Sequence, residues 1–190
     1  AYQQDALGQL IRQTDARGQT ICMVYDDLGR LKGETYRTDT NCPSSDPGTG
    51  NYAVEFTYDD VSNGNHGIGR RTGMVDETGT TSWEYDDRGR LITETRVITD
   101  VGTFVTQWGG FNSANQPGWM IYPGGLNGEA GEQVFFEYNT NGILAGLDGY
   151  SIYAQDMAYD EAGRMTQLVR GDSLLTSSYS YYDWDEKIGG

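Results

Sequence analysis

Tyr85-Asp86-Asp87-Arg88-Gly89-Arg90-Leu91 is the stretch whose reading decides the fold. Its first aspartate can accept bonds from nearby backbone N–H groups. Three places later comes glycine, the residue that adopts positive φ without steric cost. That order fits a type I turn closed by a G1 bulge, a common three-residue connection of a β-hairpin. With three loop residues, Asp86 faces Arg90 and Tyr85 faces Leu91. The heptad thus predicts an ion pair and an aromatic–aliphatic pair across the same two strands, each contributing roughly 0.2–1 kcal/mol relative to alanines. Alternation extends the reading upstream, with Thr81, Trp83 and Tyr85 on one face and Ser82, Glu84 and Asp86 on the other.

The heptad recurs as Tyr25-Asp26-Asp27-Leu28-Gly29-Arg30-Leu31 and Tyr159-Asp160-Glu161-Ala162-Gly163-Arg164-Met165. Weaker copies run from Gln4 to Leu10, Phe111 to Pro117 and Tyr138 to Leu144, the last keeping Gly142 and Leu144. Asn115 stands where Phe111's copy should have glycine, and asparagine tolerates the left-handed conformation better than most residues. Half-copies occur at Asp15-Ala16-Arg17-Gly18 and Asp76-Glu77-Thr78-Gly79. After Tyr58 the motif is interrupted by Ser62–Ile68 and resumes at Gly69-Arg70, with Arg71 in the leucine position. A final copy, Tyr182-Asp183-Trp184-Asp185, breaks off, with Glu186 where glycine belongs. Turn glycines 8, 18 and 29 place a reversal about every ten residues, the spacing of an antiparallel meander.

The expected fold is therefore all-β: consecutive antiparallel hairpins forming one continuous twisted sheet. A lone hairpin is marginal in water, so neighbouring copies must cover its apolar face. Residues 1–190 read as a single array, with inserted loops at about 39–51, 62–68 and 123–131. The array is cut within repeats at both ends, which predicts unpaired strand edges and edge-to-edge self-association.

Composition narrows the partners. The 28 acidic and 13 basic residues give a formal charge of −15, a field that repels phosphate backbones and anionic lipid. Nucleic acid and membrane surfaces are therefore poor partners and no nucleic-acid partner is expected, and no apolar run approaches the roughly 18 residues of a membrane span.

No catalytic constellation emerges. The sole histidine, His66, sits in a glycine- and asparagine-rich loop, and most carboxylates occupy turn positions that already account for them. No cofactor is expected. A weak calcium candidate is the loop containing Asp59, Asp60, Asn63 and Asn65, because hard oxygen ligands suit calcium. Its spacing misses an EF-hand: Val61 holds a ligand position, and Arg70 replaces the terminal glutamate. Cys22 and Cys42 leave two readings open, buried thiols or a disulfide pinning the 39–51 loop. Closing a ring of about 20 residues would contribute roughly 3 kcal/mol in the chain-entropy model. Trp83, Trp108, Trp119 and Trp184 suggest a glycan platform, although tryptophans in period-two strands more often pack between repeats.

The in-frame heptads at Tyr25, Tyr85 and Tyr159 resemble the Rhs/YD-repeat family, whose hallmark is Tyr-Asp-x-x-Gly-Arg-Leu. Asn63 to Leu91 and Phe111 to Gly125 also look like family arrays, so the resemblance covers nearly the whole chain. It implies a non-enzymatic section of a large β-sheet that spirals into a hollow shell. In bacterial Rhs proteins and insecticidal toxin complexes such a shell encloses a C-terminal toxin, and in teneurins a related shell serves adhesion. The resemblance also implies a secreted or cell-surface protein whose partners are the remaining repeats and an enclosed effector. An adhesion or glycan-binding module using the three loops is the alternative.

Overall fold

A computed structural model describes residues 1–182, which form fifteen β-strands following one another in a single sheet. They are β1 Tyr2–Gln4, β2 Leu10–Thr14, β3 Thr20–Tyr25, β4 Leu31–Arg37 and β5 Val54–Tyr58, then β6 Arg71–Asp76, β7 Gly79–Tyr85 and β8 Leu91–Ile98. β9 Gly102–Gly109, β10 Trp119–Pro123, β11 Ala130–Tyr138, β12 Leu144–Asp148, β13 Ile152–Tyr159, β14 Met165–Arg170 and β15 Leu175–Ser178 complete the set. The chain divides into two compact units, Ala1–Val105 with Gly125–Glu129, and Thr106–Gly124 with Ala130–Gly190.

The registers follow the heptad. Tyr85 pairs with Leu91, Tyr25 with Leu31 and Tyr159 with Met165, and a register shift falls immediately before each of these tyrosines. Tyr138 pairs with Leu144 and Tyr58 with Arg71, again with the shift just upstream. Each shift is the bulge that a left-handed glycine demands, and Gly29, Gly89, Gly142 and Gly163 all have φ between 75 and 77°. Asn115 takes the same role with φ 62°.

Because strands alternate in direction, successive connections lie at opposite ends of the strands. Within each unit the heptad turns share one end. The other end carries the half-copy turns and the 38–53 connection.

Several details differ from the sequence reading. The loop expected at 123–131 is narrower, because Pro123 closes β10 and Ala130 opens β11. There the backbones run so close that a Cβ on Gly131 would lie 2.6 Å from the Tyr122 carbonyl oxygen. The Asp76 half-copy makes a two-residue turn, with Asp76 paired to Gly79. Its Oδ1 accepts from the Thr78 and Gly79 amides at 2.8 and 3.1 Å, which tightens the reversal. Residues 62–68 are not simply a solvated loop: Ser62–Gly64 forms one 3-10 turn, and Asn65 is buried.

Packing is thin. Among the described residues only Cys22, Val134, Ala154 and Val169 are buried apolar side chains. A single sheet layer leaves most strand residues half-exposed, so the fold depends heavily on its hydrogen-bond ladder, cross-strand pairs and polar bonds between copies.

Candidate functional site

The heptad turn is built around one carboxylate. Asp86 Oδ1 accepts from the Arg88 and Arg90 amides at 3.0 and 2.9 Å, while Oδ2 accepts from Arg90 Nε at 2.6 Å. Asp26 with Arg30 and Asp160 with Arg164 repeat the arrangement. Asn112 and Asn139 keep the two amide bonds through Oδ1 without the charge. Burial raises the Asp86 carboxyl's pKa, but the side-chain and backbone bonds from Arg90 outweigh it and hold the group below the usual carboxylate range. For Asp26 and Asp160 the largest cause is the backbone bond from the following arginine, and both are lowered.

The heptad's tyrosine acts between copies. The Tyr25 hydroxyl donates to the Leu10 carbonyl at 2.9 Å, Tyr58 to Leu31 at 2.7 Å and Tyr85 to Arg71 at 2.7 Å. In the second unit Tyr138 donates to Pro117 at 3.0 Å. In every case the acceptor is the last residue of the preceding heptad, so the hydroxyl satisfies a carbonyl beside the bulge. Tyr181 makes this bond to Met165 at 2.7 Å. The final copy therefore starts at Tyr181 and not at Tyr182, where the sequence reading placed it; Asp183, Trp184 and Glu186 lie outside the described residues.

The sixth heptad position adds a second link. Gln9 donates to the carbonyl of Gly29, Arg70 to that of Gly89 and Gln116 to that of Gly142, each the turn glycine of the next copy. Arg30 instead reaches Asp59 of the next copy at 2.8 Å, with its guanidinium 4.3 Å from the Tyr58 ring centroid. Arg164 stacks likewise over Tyr181 at 4.6 Å. The bond from Asp59 is the leading cause, and that from Asp26 the next, of an Arg30 pKa raised still further. These links were missed in the sequence, although a long donor at position six was visible in Gln9, Arg30, Arg70 and Gln116.

The calcium candidate finds other partners. Asp59 is held below its usual range chiefly by Arg30, then by the Gly69 amide. Asp60 is lowered chiefly by the Ser62 amide. Asn65 turns inward, donating to the Trp83 carbonyl and accepting from the Tyr85 amide. Asn63 is an exposed member of the 3-10 turn with φ 53°. Among the described residues no three His, Cys, Asp or Glu side chains group as metal ligands.

The other candidates are likewise separated. His66 is exposed, and its backbone amide donates to the Tyr85 carbonyl at 3.1 Å. It borders an open crevice of about 420 Å³ with Val61, Asn65, Ile68, Arg70 and Asp87. Trp83 donates to Glu94 at 2.8 Å. Trp119 pairs with Gly109 while its neighbour Met120 pairs with Trp108, so Trp108 and Trp119 project from opposite faces of the sheet. Among the three loops, 62–68 belongs to a heptad turn, whereas 39–51 joins β4 to β5 and 124–129 joins β10 to β11. Cys22 and Cys42 form a disulfide, with Cα atoms 5.5 Å apart.

Repetition, meander topology and bonds from copy to copy define a structural repeat array. Residues 5–40 match the family model described as RHS Repeat. That match takes in nearly all of the Gln4 copy, the Asp15 half-copy and the Tyr25 heptad, the same pattern that recurs at Tyr85 and Tyr159. Comparison with the curated proteins found no match. Solved structures are similar in fold. The chain aligns with the crystal structure of TcdB2-TccC3-TEV at TM-score 0.72 and 14% identity, covering 95% of this chain and 9% of that one. For the Photorhabdus luminescens Tc holotoxin pore the values are 0.72 and 15%, with coverage of 95% and 9%. For TcdB2-TccC3 without its hypervariable C-terminal region they are 0.73 and 15%, again with 95% and 9% coverage. The chain thus spans about a tenth of the length of the structures it resembles.

Proposed function

We propose that this array is a section of wall in a secreted or cell-surface protein, where repeats enclose a C-terminal toxin or effector. The observation that carries the reading is the copy-to-copy bonding. The Tyr25, Tyr58, Tyr85 and Tyr138 hydroxyls donate to the preceding heptad, and Gln9, Arg30, Arg70 and Gln116 reach the following one. Those bonds tie hairpins to their neighbours, which suits a wall that extends by adding repeats. The likeness in fold to TcdB2-TccC3 over 95% of the chain supports it. Its partners are further repeats of the same shell and the enclosed effector.

Protease protection tests containment. In the longer protein, the enclosed segment should resist digestion until the wall is broken by substituting heptad aspartates. Rapid digestion of that segment behind an intact wall would contradict containment.

The isolated chain also has an open edge. Among the described residues β1 has only β2 beside it, and all three of its residues are exposed. We infer association through that edge at high concentration. Sedimentation velocity showing only monomer across the accessible range would refute it.

A further inference from the structure

Segment 38–53 leaves β4, crosses one face of the sheet and returns as β5. Val24 pairs with Gly33 on that face, and Cys22 shares it two residues upstream. The segment's two halves are held differently. In the second half, Lys32 Nζ meets Asp46 Oδ2 at 2.5 Å, and the Tyr52 hydroxyl donates to the same carboxylate. The Gly50 amide donates to the buried Glu55 at 2.8 Å, and the Ala53 amide to the Glu34 carbonyl at 2.7 Å. The Tyr52 ring lies on Gly33, where an added Cβ would come within 2.4 Å of it.

The first half has less. Arg12 Nη1 donates to the Thr40 carbonyl at 2.7 Å and Arg37 meets Asp39 at 3.1 Å, both exposed contacts. Everything else falls to Cys42, whose sulfur is bonded to Cys22. Beneath this half runs a crevice of about 300 Å³ lined by Ile11, Cys22, Val24, Tyr25, Cys42 and Asp46, among others.

We propose that the Cys22–Cys42 disulfide is a reducible latch on a hinged flap: its reduction releases residues 38–45 and leaves 46–53 docked. The asymmetry of anchoring carries this, together with unequal access to the two sulfurs. Cys22 is 1% exposed and Cys42 is half-buried, so a reductant meets Cys42 first. One thiolate of a dithiol reductant attacks Cys42 Sγ, the S–S bond breaks, and the electron pair leaves on Cys22 sulfur, which takes up a proton. The reductant's second thiolate then attacks the mixed disulfide. It closes the reductant's own disulfide and frees Cys42, so two electrons pass from the dithiol to the protein. With the flap lifted, Cys22, Ile11 and Val24 become open to solvent.

Trypsin and hydrogen exchange test the latch, with dithiothreitol as the reductant and iodoacetamide labelling of both cysteines as proof of reduction. On reduction, cleavage after Arg37 should accelerate about tenfold or more, while exchange at Gly48–Ala53 changes less than about threefold. The Cys42→Ser chain should show the same cleavage without reductant. If that variant fails to fold, the reduced wild type still decides. Unchanged cleavage after Arg37 in fully reduced chain would overturn the proposal, because the two polar contacts alone would then hold the flap. Equal loss of protection across 46–53 would also overturn it, since the segment would then move as one piece.

Discussion

Replacing Asp86 separates the two jobs of the heptad carboxylate. Asp86→Asn keeps Oδ1 as acceptor for the Arg88 and Arg90 amides, as Asn112 and Asn139 do at their own turns. It loses only the pairing with Arg90, whose side chain is 20% exposed against 17% for Asp86. At that degree of burial the change should cost about 1 kcal/mol. Asp86→Ala loses both amide bonds as well. The Arg88 amide is exposed and water compensates most of its loss, about 0.5 kcal/mol. The Arg90 amide is half-buried and costs about 1 kcal/mol, and the lost ion pair to Arg90 about 1 kcal/mol more. Alanine should thus cost about 2–3 kcal/mol, or roughly 5–10 °C in Tm for a chain of this size. Urea melts of the three proteins, read by tryptophan fluorescence and circular dichroism, measure the difference. Equal losses for asparagine and alanine would refute the reasoning, because the turn amides would then not depend on this side chain.

Four other outcomes follow. Tyr58→Phe and Tyr85→Phe each remove a hydroxyl from a carbonyl beside a bulge and should cost about 1 kcal/mol, measured by the same melts. Gly89→Ala places a side chain at φ 77°, with its Cβ against the Arg70 guanidinium, and should cost about 1–2 kcal/mol in Tm-derived stability. Gly33→Ala should expel the Tyr52 ring from the sheet face, seen as faster exchange at residues 48–53. Stability should fall in acid. The turn aspartates have folded pKa values below their unfolded value of roughly 4, so their contribution is complete above that pH. It is lost as pH falls through the folded values, reaching down to about 2 for Asp46, which Lys32 holds first and Tyr52 second. Thermal melts from pH 6 to pH 2 should show the decline, and an unchanged Tm at pH 2.5 would contradict it.

The sheet order was legible because the heptad states its register locally: aspartate and glycine set the loop length, and loop length sets which residues face each other. Asn115 was readable for the same reason, since φ is a property of one residue. The 123–131 boundary was not, because glycines on both flanks permit either loop or closely approaching strands. Asp183 after Tyr182 mimics the start of a copy; what selects Tyr181 is a carbonyl at Met165, sixteen residues away in sequence. The bonds from position six to the next glycine span 19 to 26 residues, so no local pattern announces them. Of the candidate sites, the aspartate spacing around Asp59 showed oxygen atoms but not their direction, and Arg30 comes from the preceding copy to claim Asp59. Trp108 and Trp119, similarly, are near in sequence yet divided by strand alternation.

Cryo-electron microscopy of the longer protein containing this chain tests the central claim most directly. The account predicts that Tyr25, Tyr58 and Tyr85 bridge adjacent hairpins within a continuous β-wall bounding a cavity occupied by other density. An open filament with no enclosed space would contradict it.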